Sequence, residues 1–117
     1  MKTHYSELYE KVYSGMGEFA KESPVIMEGF MAIHKAASTN GALDKKVKEI
    51  LAVAIAIAVH CEGCIACHVK DALEAGATHS EIVEVIGVAV LMGGGPALVY
   101  GTMALDALNE FEEMTNN

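Results

Sequence analysis

The sequence predicts an all-α fold of about six helices. Apolar residues recur at three- and four-residue spacing along most of the chain, and runs alternating apolar with polar residues, the mark of a half-buried strand, are few. Residues that start and stop helices also fall at helix-length intervals. The first helix covers residues 4–20: Thr3 can cap it, and Tyr5, Leu8, Val12 and Met16 share one face. Ser23-Pro24 opens the second, residues 24–37, because a serine oxygen satisfies free amides and proline tolerates the first helical position. Thr39-Asn40-Gly41 closes it. Asp44 caps the third, residues 45–59, whose first turn is charged and whose remainder is almost wholly aliphatic. His60 to Gly63 reads as a break before a fourth helix, residues 64–75, with Gly76 as its left-handed stop. In Thr78-His79-Ser80-Glu81 the threonine and glutamate can satisfy each other's end amides, opening a fifth helix that ends at Gly93. Pro96 opens the sixth, which runs to about residue 113.

A length of 117 residues fits one domain and excludes two enzymatic ones. Hydrophobic residues make up 52% and charged residues 21%, which excludes intrinsic disorder. So much apolar surface in so short a chain predicts a homo-oligomer, because a small monomer cannot hide it. The net charge is −8 and every cationic side chain is lysine. Without arginine the bidentate contacts that dominate phosphate and guanine recognition are missing, so nucleic acid is not an expected partner. The opening residues are charged and patterned where an export signal would be continuously apolar, which predicts a cytoplasmic protein. Val85 to Leu105 is uncharged and long enough to span a bilayer, but Gly93-Gly94-Gly95-Pro96 interrupts it at mid-depth. The expectation is two buried helices and no membrane span.

Chemistry concentrates in His60-Cys61-Glu62-Gly63-Cys64-Ile65-Ala66-Cys67-His68. Cys61 and Cys64 are three residues apart, neighbours on one face of a helix, so a disulfide between them is feasible. A helix start favours negative charge and makes a cysteine there more nucleophilic, which by itself favours Cys61 as the attacking thiol. His68 lies one turn beyond Cys64 on the same face and can exchange a proton with its sulfur. Cys67 is rotated about 60° from Cys64, away from His68, and reads as a packed or extra thiol. Thiolates and imidazoles also suit zinc, but ligands confined to one short stretch cannot wrap a tetrahedron. Buried cysteines are also common as inert core residues.

Glu49, eleven residues, Cys61-x-x-Cys64, three residues and His68 together resemble the active-site signature of the carboxymuconolactone decarboxylase superfamily, in its alkyl hydroperoxidase D-like redox branch. Glu-Ala-Gly-Ala-Thr at 74–78, Glu81-Ile82 and Gly93-Gly94-Gly95-Pro96 extend the likeness over residues 44–101. The resemblance implies an all-α fold assembled as trimers or hexamers, the hexamer favoured, and thiol-dependent reduction of hydroperoxides or disulfides. It implies that Cys64 attacks, Cys61 resolves the intermediate, and Glu49 with His68 relays the proton through which the leaving group is protonated. Small-molecule hydroperoxide or disulfide is then the substrate, with a dithiol as electron donor; no motif implies an organic cofactor or a metal. Gly63 stands where some redox members carry a histidine or an aromatic residue. The lactone decarboxylases that name the superfamily generally lack the cysteine pair, so the alternative of decarboxylation is disfavoured.

If the third and fourth helices fold back around Cys61, Glu49 lies opposite Leu73, more than a turn beyond His68. Contact between Glu49 and His68 would then need a crossing angle, a bridging water or a neighbouring subunit. His4, His34 and His79 read as surface or cap residues, and Tyr100 as a possible lining residue of the pocket.

Overall fold

The ends of the helices follow local chemistry. In α1 (His4–Glu22) the Thr3 hydroxyl accepts from the Ser6 amide at 3.3 Å while the Ser6 hydroxyl accepts from the Thr3 amide at 2.8 Å. Helix α2 (Pro24–Ser38) starts at proline, but the Ser23 side chain caps nothing. Ser23 instead closes α1, donating its amide to the Phe19 carbonyl, and its ψ of 72° turns it away from N-cap geometry. Asp44 caps α3 (Lys45–Ala58) through the Val47 amide at 2.9 Å. Helix α4 (Glu62–Glu74) begins at Glu62, so Gly63 lies inside the helix and Cys61 is its N-cap. Gly76, with φ of 97°, supplies the left-handed stop after α4. The reciprocal Thr78 and Glu81 bonds, 2.9 and 3.1 Å, then open α5 (His79–Asn116).

This computed structural model describes residues 2–116. Five helical spans result where the sequence predicts six helices, because the last two meet directly at a kink and together make up α5. Gly94 breaks that helix, with φ of 69° and ψ of −150° that only glycine adopts without strain. A Cβ on Gly101 would lie 2.9 Å from Ile86 Cγ2. A straight helix would separate residues 86 and 101 by roughly 22 Å, so α5 must double back at the glycines. By length and composition α5 could cross a membrane. The fold at Gly94 gives it the form of two helices packed on each other.

Helices α3, α4 and α5 pack together around Val53, Ile57, Ile65, Val69, Ile82 and Leu108, all fully buried. Helix α1 lies across α4 and α5, pinned at its start: the Tyr5 hydroxyl donates to Glu62 at 3.0 Å and the Tyr5 amide to Glu110 at 2.9 Å. Helix α2 packs on α1 and α3 and stands off α4. No residue of α2 is buried. The space between α2 and α4 is a cleft, and Cys64 and Cys67 border it.

Candidate active site

The chain reverses between α3 and α4 through His60, whose φ of 60° is left-handed, and Cys61 follows as N-cap. Cys61 and Cys64 are joined by a disulfide with Cα atoms 5.2 Å apart, within the ordinary span for such bonds. The Cys61 sulfur also accepts the Cys64 amide at 3.2 Å, so it sits at the positive end of the α4 dipole. Cys64, one turn in, borders the cleft between α2 and α4.

His68 Nδ1 lies 3.2 Å from Glu49 Oε2 within the same chain, without a bridging water or a neighbouring subunit. The reversal is centred on His60, one residue earlier than the sequence reading assumed. Asp71, not Leu73, therefore falls opposite Glu49, and His68 lies three residues before Asp71 on the same face of α4. The long glutamate side chain reaches back to it. Glu49 is 3% exposed, and its other oxygen lies 4.0 Å from the Lys45 ammonium. An ionised carboxylate only accepts, so Nδ1–H of His68 donates to it and Nε2 is left for exchange with the cleft, which His68 lines.

Asp71 completes the group: single ligand atoms of Glu49, His68 and Asp71 lie within 4.8 Å of one another. Burial first, and then the Glu49 charge, push the Asp71 carboxyl above its usual range, with His68 and His34 opposing. Cys67 is buried and free, and it borders the same cleft as Cys64 and His68. The three fall within a 100° arc of α4, which one cleft can take in, so the rotation of Cys67 does not carry it out of the site. Burial, and secondarily the Asp71 charge, raise the Cys67 thiol to about 11, so it is a neutral thiol at neutral pH.

The cleft has a volume of about 140 Å³. Val12, Tyr13 and Met16 from α1 and Phe30 from α2 make its apolar walls, and His34 enters from α2. On the α3 side Cys64 and His68 border a second recess of about 230 Å³, walled by Ala52, Ile55 and Val59. Tyr100 does not line the cleft; it stacks on His60 with ring centroids 4.7 Å apart, against the turn that carries Cys61. Sequence reasoning passed over Asp71 and read His34 as a surface or cap residue, whereas it lines the cleft. The signal for Asp71 was present, seven residues after Cys64 and so two turns along the same face. His34 carried none, because the face α2 turns inward is set by its neighbours.

Residues 24–107 match the model of the carboxymuconolactone decarboxylase family. The chain belongs to the carboxymuconolactone decarboxylase family. It is similar to a family protein from Legionella pneumophila, with a TM-score of 0.88 and 43% identity over 92% of this chain and 96% of that one. A Thermotoga maritima family protein with a suggested involvement in the antioxidative response has a TM-score of 0.85, 25% identity and 93% coverage of both chains. Uncharacterized protein 4 in cox locus of Paracoccus denitrificans is 38% identical over 102 residues, covering 87% of this chain and 92% of that one. The five-helix architecture is that of the alkyl hydroperoxidase D-like members of the family. In that fold the close Cys61–Cys64 pair points to a redox-active branch and supports a thiol-dependent redox enzyme.

Proposed function

We propose that the protein reduces a small hydroperoxide or disulfide with its Cys61–Cys64 couple and is returned to the dithiol by a dithiol donor. The observation that carries this reading is the position of the couple: its second sulfur opens on an apolar cleft beside a histidine backed by a buried carboxylate. His68 takes the proton of Cys64, and the imidazolium is stabilised by Glu49. The Cys64 thiolate attacks the terminal peroxide oxygen, the O–O bond breaks, and a sulfenic acid and an alkoxide form; the alkoxide is protonated to the alcohol. Cys61 then displaces hydroxide from that sulfur, closing the disulfide and releasing water. Two electrons pass from the two thiols to the peroxide, and a dithiol donor returns them by thiol–disulfide exchange. Access supports Cys64 as the attacking sulfur and Cys61 as the resolving one, against the N-cap position that by itself favours a thiolate on Cys61.

The suggested antioxidative involvement of the Thermotoga relative supports the same reading. A couple that must be returned to the dithiol suits a reducing cytoplasm. The exposed apolar residues Ile55 on α3, Val59 at its C-cap, and Val88, Leu91 and Met92 on α5 support a homo-oligomer, a hexamer or a trimer.

Thiol titration of the pre-reduced protein before and after one equivalent of hydroperoxide tests the function. The wild type should lose two thiols, Cys61→Ser one as a sulfenic acid, and Cys64→Ser none. Unchanged thiols in the wild type would overturn the redox reading and favour decarboxylation.

A further inference from the structure

Helix α2 exposes nearly all of itself, and its partly covered positions are Met27, His34 and Ser38. Their spacing of seven and four puts them on one stripe, the face α2 turns inward. His34 is the titratable member of that stripe. It borders the cleft together with Cys64, His68 and Asp71, and its ring makes no ion pair among the described residues. Its charge is felt by Asp71, as is that of His68, so the Asp71 carboxyl lies under the influence of an imidazole from each side of the cleft. Phe30, one turn before His34 with its ring centroid 6.5 Å away, forms the adjoining wall.

The two imidazoles stand in different relations to the reacting sulfur. His68 is on the same helix as Cys64, one turn along, on the side of the sulfur that attacks. A thiolate that displaces oxygen from a peroxide does so in line, so the departing oxygen points away from the sulfur and from α4. Helix α2 forms the other wall of that cleft, with Phe30 and His34 lining it. The place where some redox members carry a histidine is Gly63, and a Cβ there would be 3.2 Å from Val12 Cγ2, so any side chain at position 63 requires Val12 of α1 to give way.

Resting on the peroxide- or disulfide-reducing function proposed above, we propose that His34 is the general acid that protonates the leaving group, from the wall opposite His68. The Cys64 thiolate and ROOH give the Cys64 sulfenic acid and RO⁻, and imidazolium His34 passes its proton to RO⁻, giving ROH and neutral His34, which is recharged from solvent. With a disulfide RSSR the Cys64 sulfur forms the mixed disulfide with one half and His34 protonates the departing RS⁻. His68 remains the acceptor of the Cys64 proton.

A group that protonates a leaving group matters only when that group leaves poorly. Stopped-flow oxidation of the pre-reduced wild type and His34→Gln therefore uses cumene hydroperoxide and bis(2-hydroxyethyl) disulfide, which release strongly basic anions. The comparison probe is 5,5′-dithiobis(2-nitrobenzoate), whose aryl thiolate leaves unprotonated. His34→Gln should slow oxidation by the basic-leaving-group substrate by roughly 10²-fold, as general acids do, and change the aryl disulfide rate less than about threefold. Phe30→Leu, which alters the same wall without removing a proton, should move all rates together. An equal loss across leaving groups in His34→Gln, or no loss, overturns the inference and leaves the redox function standing. A wild type that reacts with neither cumene hydroperoxide nor the dialkyl disulfide overturns both.

Discussion

Helices α3 and α4 bury Val53, Ile57, Ile65 and Val69 completely, whereas α2 leaves Val25, Ile26 and Ile33 between 62% and 79% exposed. Both regions border the cleft. One is a frame, holding the disulfide and the Glu49–His68 pair in place by close packing; the other is a cover resting on α1 and α3. Fully burying a side chain of this kind is worth about 1.5–3 kcal/mol, so the frame is held by several such terms and α2 by almost none of its own. The reacting groups that need fixed geometry stand on the frame, and the cover meets the substrate.

Substitution separates the two regions most strongly. Ile57→Ala or Ile65→Ala should cost about 2–5 kcal/mol in denaturant unfolding, through lost burial and the cavity left behind. Ile33→Ala on α2 should stay within about 0.5 kcal/mol of wild type in dilute protein. A comparable loss at Ile33 would break the contrast, because it would mean that the exposed face of α2 is buried in solution. In that event the loss should grow with protein concentration, as it does when a second copy supplies the burial.

Cys67 tests how firmly the cover is held, since it is carried by α4 but faces the cleft. With Cys61 and Cys64 joined, it is the free thiol. Burial and Asp71 raise it to about 11, so its thiolate appears only as pH climbs toward that value. Iodoacetamide at pH 8 should modify it roughly 10- to 100-fold more slowly than a simple thiol, whose pKa is about 8.5. The rate should keep rising, about tenfold per pH unit, through pH 10. A rate that levels off near pH 9 would show that α1 and α2 swing clear often enough to give Cys67 an ordinary thiol's surroundings.

What the sequence made legible divides along similar lines. Thr3, Pro24, Asp44, Gly76 and the Thr78–Glu81 pair act through bonds or backbone angles within a few residues, and each marks its helix end as expected. Gly94 was legible as a break for the same reason, within Gly93-Gly94-Gly95-Pro96, and the two halves of α5 meet there at a kink. The Glu49–His68 contact was not legible as a distance. It depends on which residue centres the reversal, and a one-residue shift from Cys61 to His60 changes the residue opposite Glu49 from Leu73 to Asp71. The place of His34 was hidden for a further reason: α2 carries Val25, Ile26, Met27, Phe30, Met31 and Ile33, apolar on several faces, so no stripe marks its inner side.

The smallest expected effect lies where α1, on which the cover rests, meets the frame. Val12 of α1 comes down on Gly63 in the first turn of α4, and a Cβ at that glycine would sit 3.2 Å from Val12 Cγ2, a few tenths of an ångström inside the best carbon–carbon separation. Alanine at position 63 would gain up to about 1 kcal/mol of helix propensity, so Gly63→Ala opposes a backbone gain to a steric cost. The two should nearly cancel, leaving stability within about 0.5 kcal/mol of wild type. Val12→Ala removes the obstructing methyl, and in that background Gly63→Ala should be stabilising, with a coupling of about 0.5–1 kcal/mol in a double-mutant cycle. Zero coupling would mean that α1 shifts freely to admit the methyl. A histidine could then be accommodated at position 63, and the cleft's second imidazole would not have to come from α2.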